Sequence, residues 1–246
     1  VQTSETNIEG KIYYPGNHTD YIRRLKEKLC QPTCQIVHYG DSQIEGDRIT
    51  GYVRNRLQLA YTGGGPGFIP IKVVYSQNSV DIIASPNWTR YAFFDRKQRK
   101  TVVHDKYGLF STFSRFTNYV SNTADTTALP VAKASFTIKP SDKSYARLRN
   151  YTRFGLHYGN AMAKVKIRDG NILRIDTLIS DGKYHNYKLN FASTPKELKV
   201  ELEGKVSPDF YGITLDASSG VRMDNVAMRG EAGRIFTRMN YEHFRQ

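Results

Sequence analysis

The chain has 246 residues, enough for one large domain or two small ones, each with its own core. A hydrophobic fraction of 39% with 12% aromatics excludes a disordered chain, and no apolar run approaches membrane-spanning length, so the chain is read as soluble and not transmembrane. The net charge of +13 comes from Lys and Arg spread along the whole chain without a nucleic-acid motif, which reads as a solvated basic surface, or as a match for an anionic envelope polymer sooner than for a specific nucleic acid.

Residues 1–17 are polar, contain turn formers and read as a lead-in. They carry no signal-peptide pattern, so any targeting segment lies outside them. From Asp20 to Leu29 the apolar positions Ile22, Leu25 and Leu29 fall at helical spacing, with Thr19 or Asp20 as N-cap. Cys30 and Cys34 follow, four apart. A metal site would need more ligands nearby, and the spacing is not that of thiol redox enzymes. A small disulfide loop across Pro32 and a pair of reduced thiols both remain open. After Pro32, residues 35–39 read as a short buried strand that runs into Gly40-Asp41-Ser42. The next helix places Ile49, Tyr52, Val53, Leu57 and Ala60 on one apolar face and directs Arg48, Arg54 and Arg56 elsewhere. The glycine cluster 63–67 ends it. That cluster lacks the Lys-Ser/Thr of a phosphate-binding loop, so no nucleotide cofactor is implied.

From about residue 75 the pattern becomes short alternating segments: Ala134/Phe136/Ile138, Phe154/Leu156/Tyr158, Ala163/Val165/Ile167, His185/Tyr187/Leu189/Phe191 and Leu198/Val200/Leu202. Asp169-Gly170-Asn171 and Asp181-Gly182-Lys183 supply turns between them. This predicts an antiparallel sandwich with one wet face per sheet. An aromatic-rich stretch leads into it, including Trp88, Tyr91, Phe93, Phe110, Phe113 and Phe116. Exposed rings there would stack on sugars, with Trp88, Arg90 and Tyr91 as glycan contacts; alternatively the rings pack a domain junction. Sequons at Asn17, Asn87 and Asn150 read as chance matches. Residues 221–228 form another strand, ending at Arg229-Gly230, and the tail from Arg234 to Phe244 reads as the start of a helix.

Gly-Asp-Ser is a weak tripeptide alone, but here it closes a strand and opens a helix. In open α/β sheets, ligand-binding groups converge at such strand ends. A serine there projects its hydroxyl into the crevice, and nearby amides can hold a developing oxyanion. Asp41 would orient the turn through hydrogen bonds to backbone. The plainer alternative is that Asp41 and Ser42 only cap a helix.

The stretch 38–58, HYGDSQIEGDRITGYVRNRLQ, followed by GGGPGFIP at 63–70, resembles the first block of SGNH (GDSL-type) hydrolases, most closely their periplasmic Bacteroidetes-type members. The resemblance covers roughly residues 35–70 and 211–236. It implies Ser42 as nucleophile and oxyanion donor, Gly230 as second oxyanion donor, and Gly40, Asp41 and Gln43 as the supporting turn. It also implies a partial flavodoxin-like three-layer α/β domain (1–74 and 216–246) interrupted by an all-β carbohydrate-binding-like sandwich (75–215). That arrangement is similar to peptidoglycan and polysaccharide O-acetylesterases. The expected function is a periplasmic or secreted esterase acting on O-acyl, chiefly O-acetyl, groups of a glycan, without metal or other cofactor. The alternative is a glycan-binding or scaffold module on a vestigial hydrolase frame. The family also needs an oxyanion-hole Asn block and an Asp-x-x-His pair after Gly230, and the sixteen residues that follow contain no such pattern. His38 precedes the nucleophile on its own strand, and Asp181 and His185 are four apart in a hairpin. The expectation is therefore half a catalytic site, to be completed by a missing C-terminal half.

Overall fold

A computed structural model describes residues 18–121, 124–230 and 233–246; the lead-in, the sequon at Asn17, and Glu231-Ala232 lie outside the described residues. Helix α1 (His18–Leu29) begins ahead of the expected caps, so Thr19 and Asp20 fall within its first turn. The Asp20 carboxylate accepts from Arg23 at 2.6 Å and from Arg24 Nε at 2.8 Å. Strand β1 (Thr33–Gly40), a 3-10 turn (Ser42–Asp47) and helix α2 (Arg48–Tyr61) follow. Next come β2 (Gly67–Ile69), β3 (Val80–Ala84), β4 (Thr89–Ala92), α3 (Arg96–Thr101) and β5 (Thr112–Arg115). The chain continues through β6 (Ala132–Pro140), β7 (Arg153–Gly159), β8 (Ala163–Asp169), β9 (Asn171–Leu178) and β10 (Tyr184–Asn190). It closes with β11 (Leu198–Gly204), β12 (Asp209–Asp216), β13 (Gly220–Ala227) and α4 (Tyr241–Arg245). Among the described residues no helix is long and apolar enough to cross a membrane.

The bulk of the chain is an antiparallel sandwich. One sheet runs β10-β7-β12-β5-β4, with β2 also on β12; the other runs β3-β6-β11-β8-β9. Alternation drives it: Phe136, Ile138, Leu156, Val165, Ile167, Leu198 and Val200 point inward and are fully buried. Gly170 and Gly182, at φ +69° and +76°, make the two expected turns, where a side chain would be strained.

The three-layer α/β domain is not found; the described chain is mostly β. Its parallel sheet has only two strands, β1 and β13, paired in register from Thr33↔Gly220 to Gly40↔Ala227. Helix α2 covers one face, and among the described residues no helical layer covers the other. That face lies on the outer side of the six-stranded sheet, where Tyr91, Tyr107, Phe110, Phe113 and Tyr211 pack with Val226 and Met228. The same packing dries the outer face of β7 and β12, so the middle of this sheet has no wet side, while its edge strand β10 stays partly exposed.

Helix α2 also packs opposite to the expected way. Thr50, Gly51, Arg54 and Gln58 are buried, whereas Ile49, Tyr52 and Val53 are exposed. The reason lies at the outer edge of β13. Its backbone groups there are met by α2 and not by another strand: Arg54 Nε donates to Met223 C=O (2.5 Å), Gln58 Nε2 to Val221 C=O (3.3 Å), and Val221 N–H to Thr62 C=O (3.0 Å). An open strand edge demands polar partners, so the polar stripe turns inward. Cys30 and Cys34 are both free thiols.

Candidate active site

The turn after β1 is held from several sides. Gly40 C=O accepts from Met228 N–H (2.9 Å), which ties it to the end of β13. A Cβ on Gly40 would sit 2.9 Å from Ile44 Cδ1, so glycine leaves room for Ile44 to fold over the strand end. The Asp41 carboxylate accepts from Gln43 N–H at 2.9 Å and caps the 3-10 turn that opens at Ser42. Helix α2 starts only six residues later, at Arg48, so its N-terminus is not at the serine. Ile44 C=O accepts from Asn225 Nδ2 (2.9 Å). Gly46, at φ +75°, kinks the turn, and its carbonyl accepts from Asn78 N–H (3.0 Å).

Asp47 anchors the far end. It is buried and pairs with Arg54 Nη1 at 2.6 Å and Nη2 at 3.2 Å, while Ser79 Oγ donates to it. Burial raises the Asp47 carboxyl above its ordinary range, and Arg54 opposes that shift. The turns after β1 and β13 are joined directly as well. Arg229 forks onto Glu45 at 2.9 and 2.6 Å, with its guanidinium over the Tyr75 ring.

Ser42 and Gln43 are exposed on this frame. Gly230 is exposed at φ +71°, and a Cβ there would meet nothing, so the glycine answers to backbone conformation and not to packing. Among the described residues no side chain hydrogen-bonds the Ser42 hydroxyl. His38 Nδ1 faces Thr50 Oγ1 at 2.9 Å on the α2 side. His185 pairs with Asp181 at 2.7 Å on an exposed hairpin of the sandwich. Neither forms a dyad with Ser42. Among the described residues no His, Cys, Asp and Glu cluster is arranged to hold a metal. A cavity of about 40 Å³ behind the turn, lined by Tyr75, Arg90 and Asn225, has room for a water molecule and not for a substrate.

Fourteen solved chains match this structure. One is a peptidoglycan O-acetylesterase, at TM-score 0.57 and 17% identity, matching 91% of this chain and 55% of that one. The fold is shared. The present chain therefore spans just over half of that structure's length. Two carbohydrate-binding modules match at lower TM-scores. One is a family 61 module in complex with β-1,4-galactotriose, at 0.26 and 10% identity, matching 57% of this chain and 86% of that one. The other is the family 32 module of C. perfringens NanJ with galactose, at 0.30 and 12% identity, matching 61% and 98%. No family model and no curated protein matches the sequence.

Two of the three expected glycan contacts are packed inside the protein. Trp88 is buried between Phe116, Phe136 and Phe210, with its indole N–H donating to Ser135 C=O. Tyr91 is stacked on Phe113, and its hydroxyl accepts from Tyr119 N–H. Rings packed inside clusters offer no face to a sugar. Arg90 is half-buried beside the Phe94 ring. Sequence reasoning did not single out Glu45, Arg229, Asp47 or Arg54, because their partners lie on other elements. The buried salt bridge was visible only as an Asp and an Arg seven apart.

Proposed function

We propose that this chain carries the nucleophile half of a serine esterase acting on O-acyl groups of a glycan. The supporting observation is an exposed serine on a capped turn, clamped through Met228 N–H, Asn225 and the Arg229–Glu45 pair to the tip of the neighbouring parallel strand. In this reading 1–74 and 216–246 are the catalytic frame and 75–215 the inserted sandwich. Ser42 Oγ attacks the acyl carbonyl, and the backbone amides of Ser42 and Gly230 hold the oxyanion. A base removes the serine proton and returns it to the departing sugar oxygen; water then hydrolyses the acyl-enzyme to the free acid. Without a base a serine hydroxyl is a weak nucleophile. The His–Asp pair and a third oxyanion donor would come from further polypeptide, in line with the 55% share of the esterase's length that this chain matches. An acetylated peptidoglycan-like substrate in a bacterial envelope, periplasmic or secreted, belongs to the same proposal, and the +13 charge suits an anionic polymer there.

The test is hydrolysis of an acetyl ester and of O-acetylated glycan by the protein with its adjoining polypeptide. Ser42→Ala should abolish turnover, and residues 1–246 alone should be nearly inert, since even one missing oxyanion donor costs on the order of a hundredfold. Family-like turnover by 1–246 alone would refute the missing-half argument. Turnover by the longer protein that survives Ser42→Ala would refute the assignment of the nucleophile. The absence of a base beside Ser42 among the described residues favours one second reading, a non-catalytic glycan-binding module. Glycan binding without hydrolysis in the longer protein would select it.

A further inference from the structure

A second cleft lies away from Ser42, between the outer face of the six-stranded sheet and the N-terminal half of the β1–β13 pair. Its volume is about 300 Å³, at the lower end of the ~300–1,000 Å³ typical of small-ligand sites. Strand alternation supplies its floor: Tyr184 and Asn186 from β10, His157 from β7, and Thr214 from β12. Arg222 of β13 and His243 of α4 close it from above. Gln35, paired with Arg222 across the two strands, also lines it. Five residues separate Gln35 from Gly40, which puts this cleft roughly 17 Å along the strand from the serine turn.

Three features distinguish the cleft from ordinary core. The first is a set of buried polar atoms without partners, namely Tyr211 Oη, Asn186 Oδ1 and Arg222 Nε. Tyr211 is only 3% exposed, and a buried polar group left unsatisfied costs roughly 1–3 kcal/mol. The second is a β-bulge. The β7–β12 register shifts between Phe210 and Gly212, which makes Tyr211 the extra residue and turns it to the cleft side. The third is Gly155, where a Cβ would lie 2.4 Å from Thr214 Oγ1 and 2.6 Å from Asn186 Oδ1. The missing side chain lets these polar atoms converge in mid-sheet. The rings of Tyr211, Tyr184 and His243 form an aromatic wall, with centroids 6.1 and 4.8 Å apart.

The lining of the cleft carries no unpaired cation. Arg222 is neutralised by Asp216 at 2.9 Å. His157, bonded to Tyr184 Oη and to Thr214 Oγ1, is pushed by burial down to about 3, and His243 likewise to about 4, so both are neutral at pH 7.

We infer that this cleft is a binding site for a neutral, polyhydroxylated ring of monosaccharide size. Tyr211 Oη and Arg222 Nε donate to its hydroxyls, Asn186 Oδ1 accepts from them, and the ring's C–H face lies on the tyrosines. An anionic sugar is disfavoured because Arg222, the one Lys or Arg among the described lining residues, already has its carboxylate, while Lys106 and Lys188 act on the cleft histidines without lining it. The site stands independently of Ser42 and holds whether or not the chain is catalytic.

The experiment is an NMR titration of the full chain with galactose, N-acetylglucosamine and, as the anionic control, glucuronate. The expected result is saturable binding of at least one neutral sugar with Kd on the order of 1 mM or tighter, and none of glucuronate. Tyr211→Phe keeps the ring and removes only an unpartnered hydroxyl; it should keep or raise Tm while weakening binding about threefold or more. Asn186→Ala should weaken it similarly, and Ser42→Ala should not change it. Three outcomes would overturn the proposal: no saturable binding of either neutral sugar, meaning that ordered water alone fills the cleft; equal binding of glucuronate; or neutral-sugar binding insensitive to both cleft substitutions. Loss of binding in Ser42→Ala would instead place the sugar at the serine turn and also refute this site.

Discussion

Arg54→Ala tests the anchoring of the serine turn most directly. Arg54 and Asp47 are both almost fully inaccessible, at 1% and 4% side-chain exposure, and the guanidinium also serves Met223 C=O on the edge of β13. Truncation leaves a buried carboxylate with Ser79 and Asn225 as its remaining close donors, a bare edge carbonyl, and a void where the guanidinium lay. Breaking a buried pair from one side typically costs about 3–5 kcal/mol. For a chain of this size that corresponds to a fall in Tm of roughly 6–20 °C. The pH dependence carries its own sign. Asp47 already titrates above its ordinary value because of burial, so its folded-state stability is greatest when protonated and is lost as pH rises through the raised value. Removing Arg54 takes away the main opposing influence, so the deficit should be largest at neutral pH and shrink as pH falls into the carboxylate range. Asp47→Asn combined with Arg54→Met should recover most of the loss, because neither partner is then charged. Thermal melts followed by circular dichroism across pH give the answer. A deficit below about 1 kcal/mol, the scale of an exposed pair, or a double variant less stable than Arg54→Ala, would refute the reasoning.

Other substitutions separate packing from chemistry. His157 is held neutral by burial, at about 3 in the folded state against an ordinary 6.5, so its contribution is complete above 6.5 and is lost as pH falls toward 3. Acid melts should lose on the order of 4–5 kcal/mol from this source, and His157→Gln should flatten that limb. Asp216 acts oppositely: burial lifts it to about 6, so its contribution is present below the ordinary 3.8 and is lost as pH rises through 6, a trend that Asp216→Asn should remove. Gly65→Ala should be far more damaging than Gly170→Ala. Both have positive φ, but the new Cβ would lie 2.1 Å from Leu215 C=O at the first and in open space at the second, so denaturant titration should show about 1 kcal/mol for Gly170→Ala and clearly more for Gly65→Ala. Arg229→Gln removes an exposed clamp and should leave Tm nearly unchanged, while lowering ester turnover in the longer protein through the loosened serine turn. Unchanged turnover would show that the clamp does not position Ser42.

The sequence alone determined the elements that announce themselves locally. Segments such as 134–138, 163–167 and 198–202 alternate because each strand has one side in the core, and period-two patterning records that directly. The Gly170 and Gly182 turns and the Gly40-Asp41-Ser42 turn were legible for the same reason, since their residues answer to their own backbone geometry. Only tertiary structure decided the rest. Strand β12 is buried along its whole length and so lacks the alternation that would reveal it. Helix α2 turns its polar stripe inward because the edge of β13 presents bare backbone groups, a fact recorded in no residue of α2 itself. The aromatic stretch packs inward and not onto a ligand: Trp88 and Phe116 fill the space between the two sheets, and Tyr91, Phe93, Tyr107, Phe110 and Phe113 dry the back of one sheet against the face of the parallel pair. Periodicity states how a segment divides its own surface; which side meets water depends on what the rest of the chain brings against it.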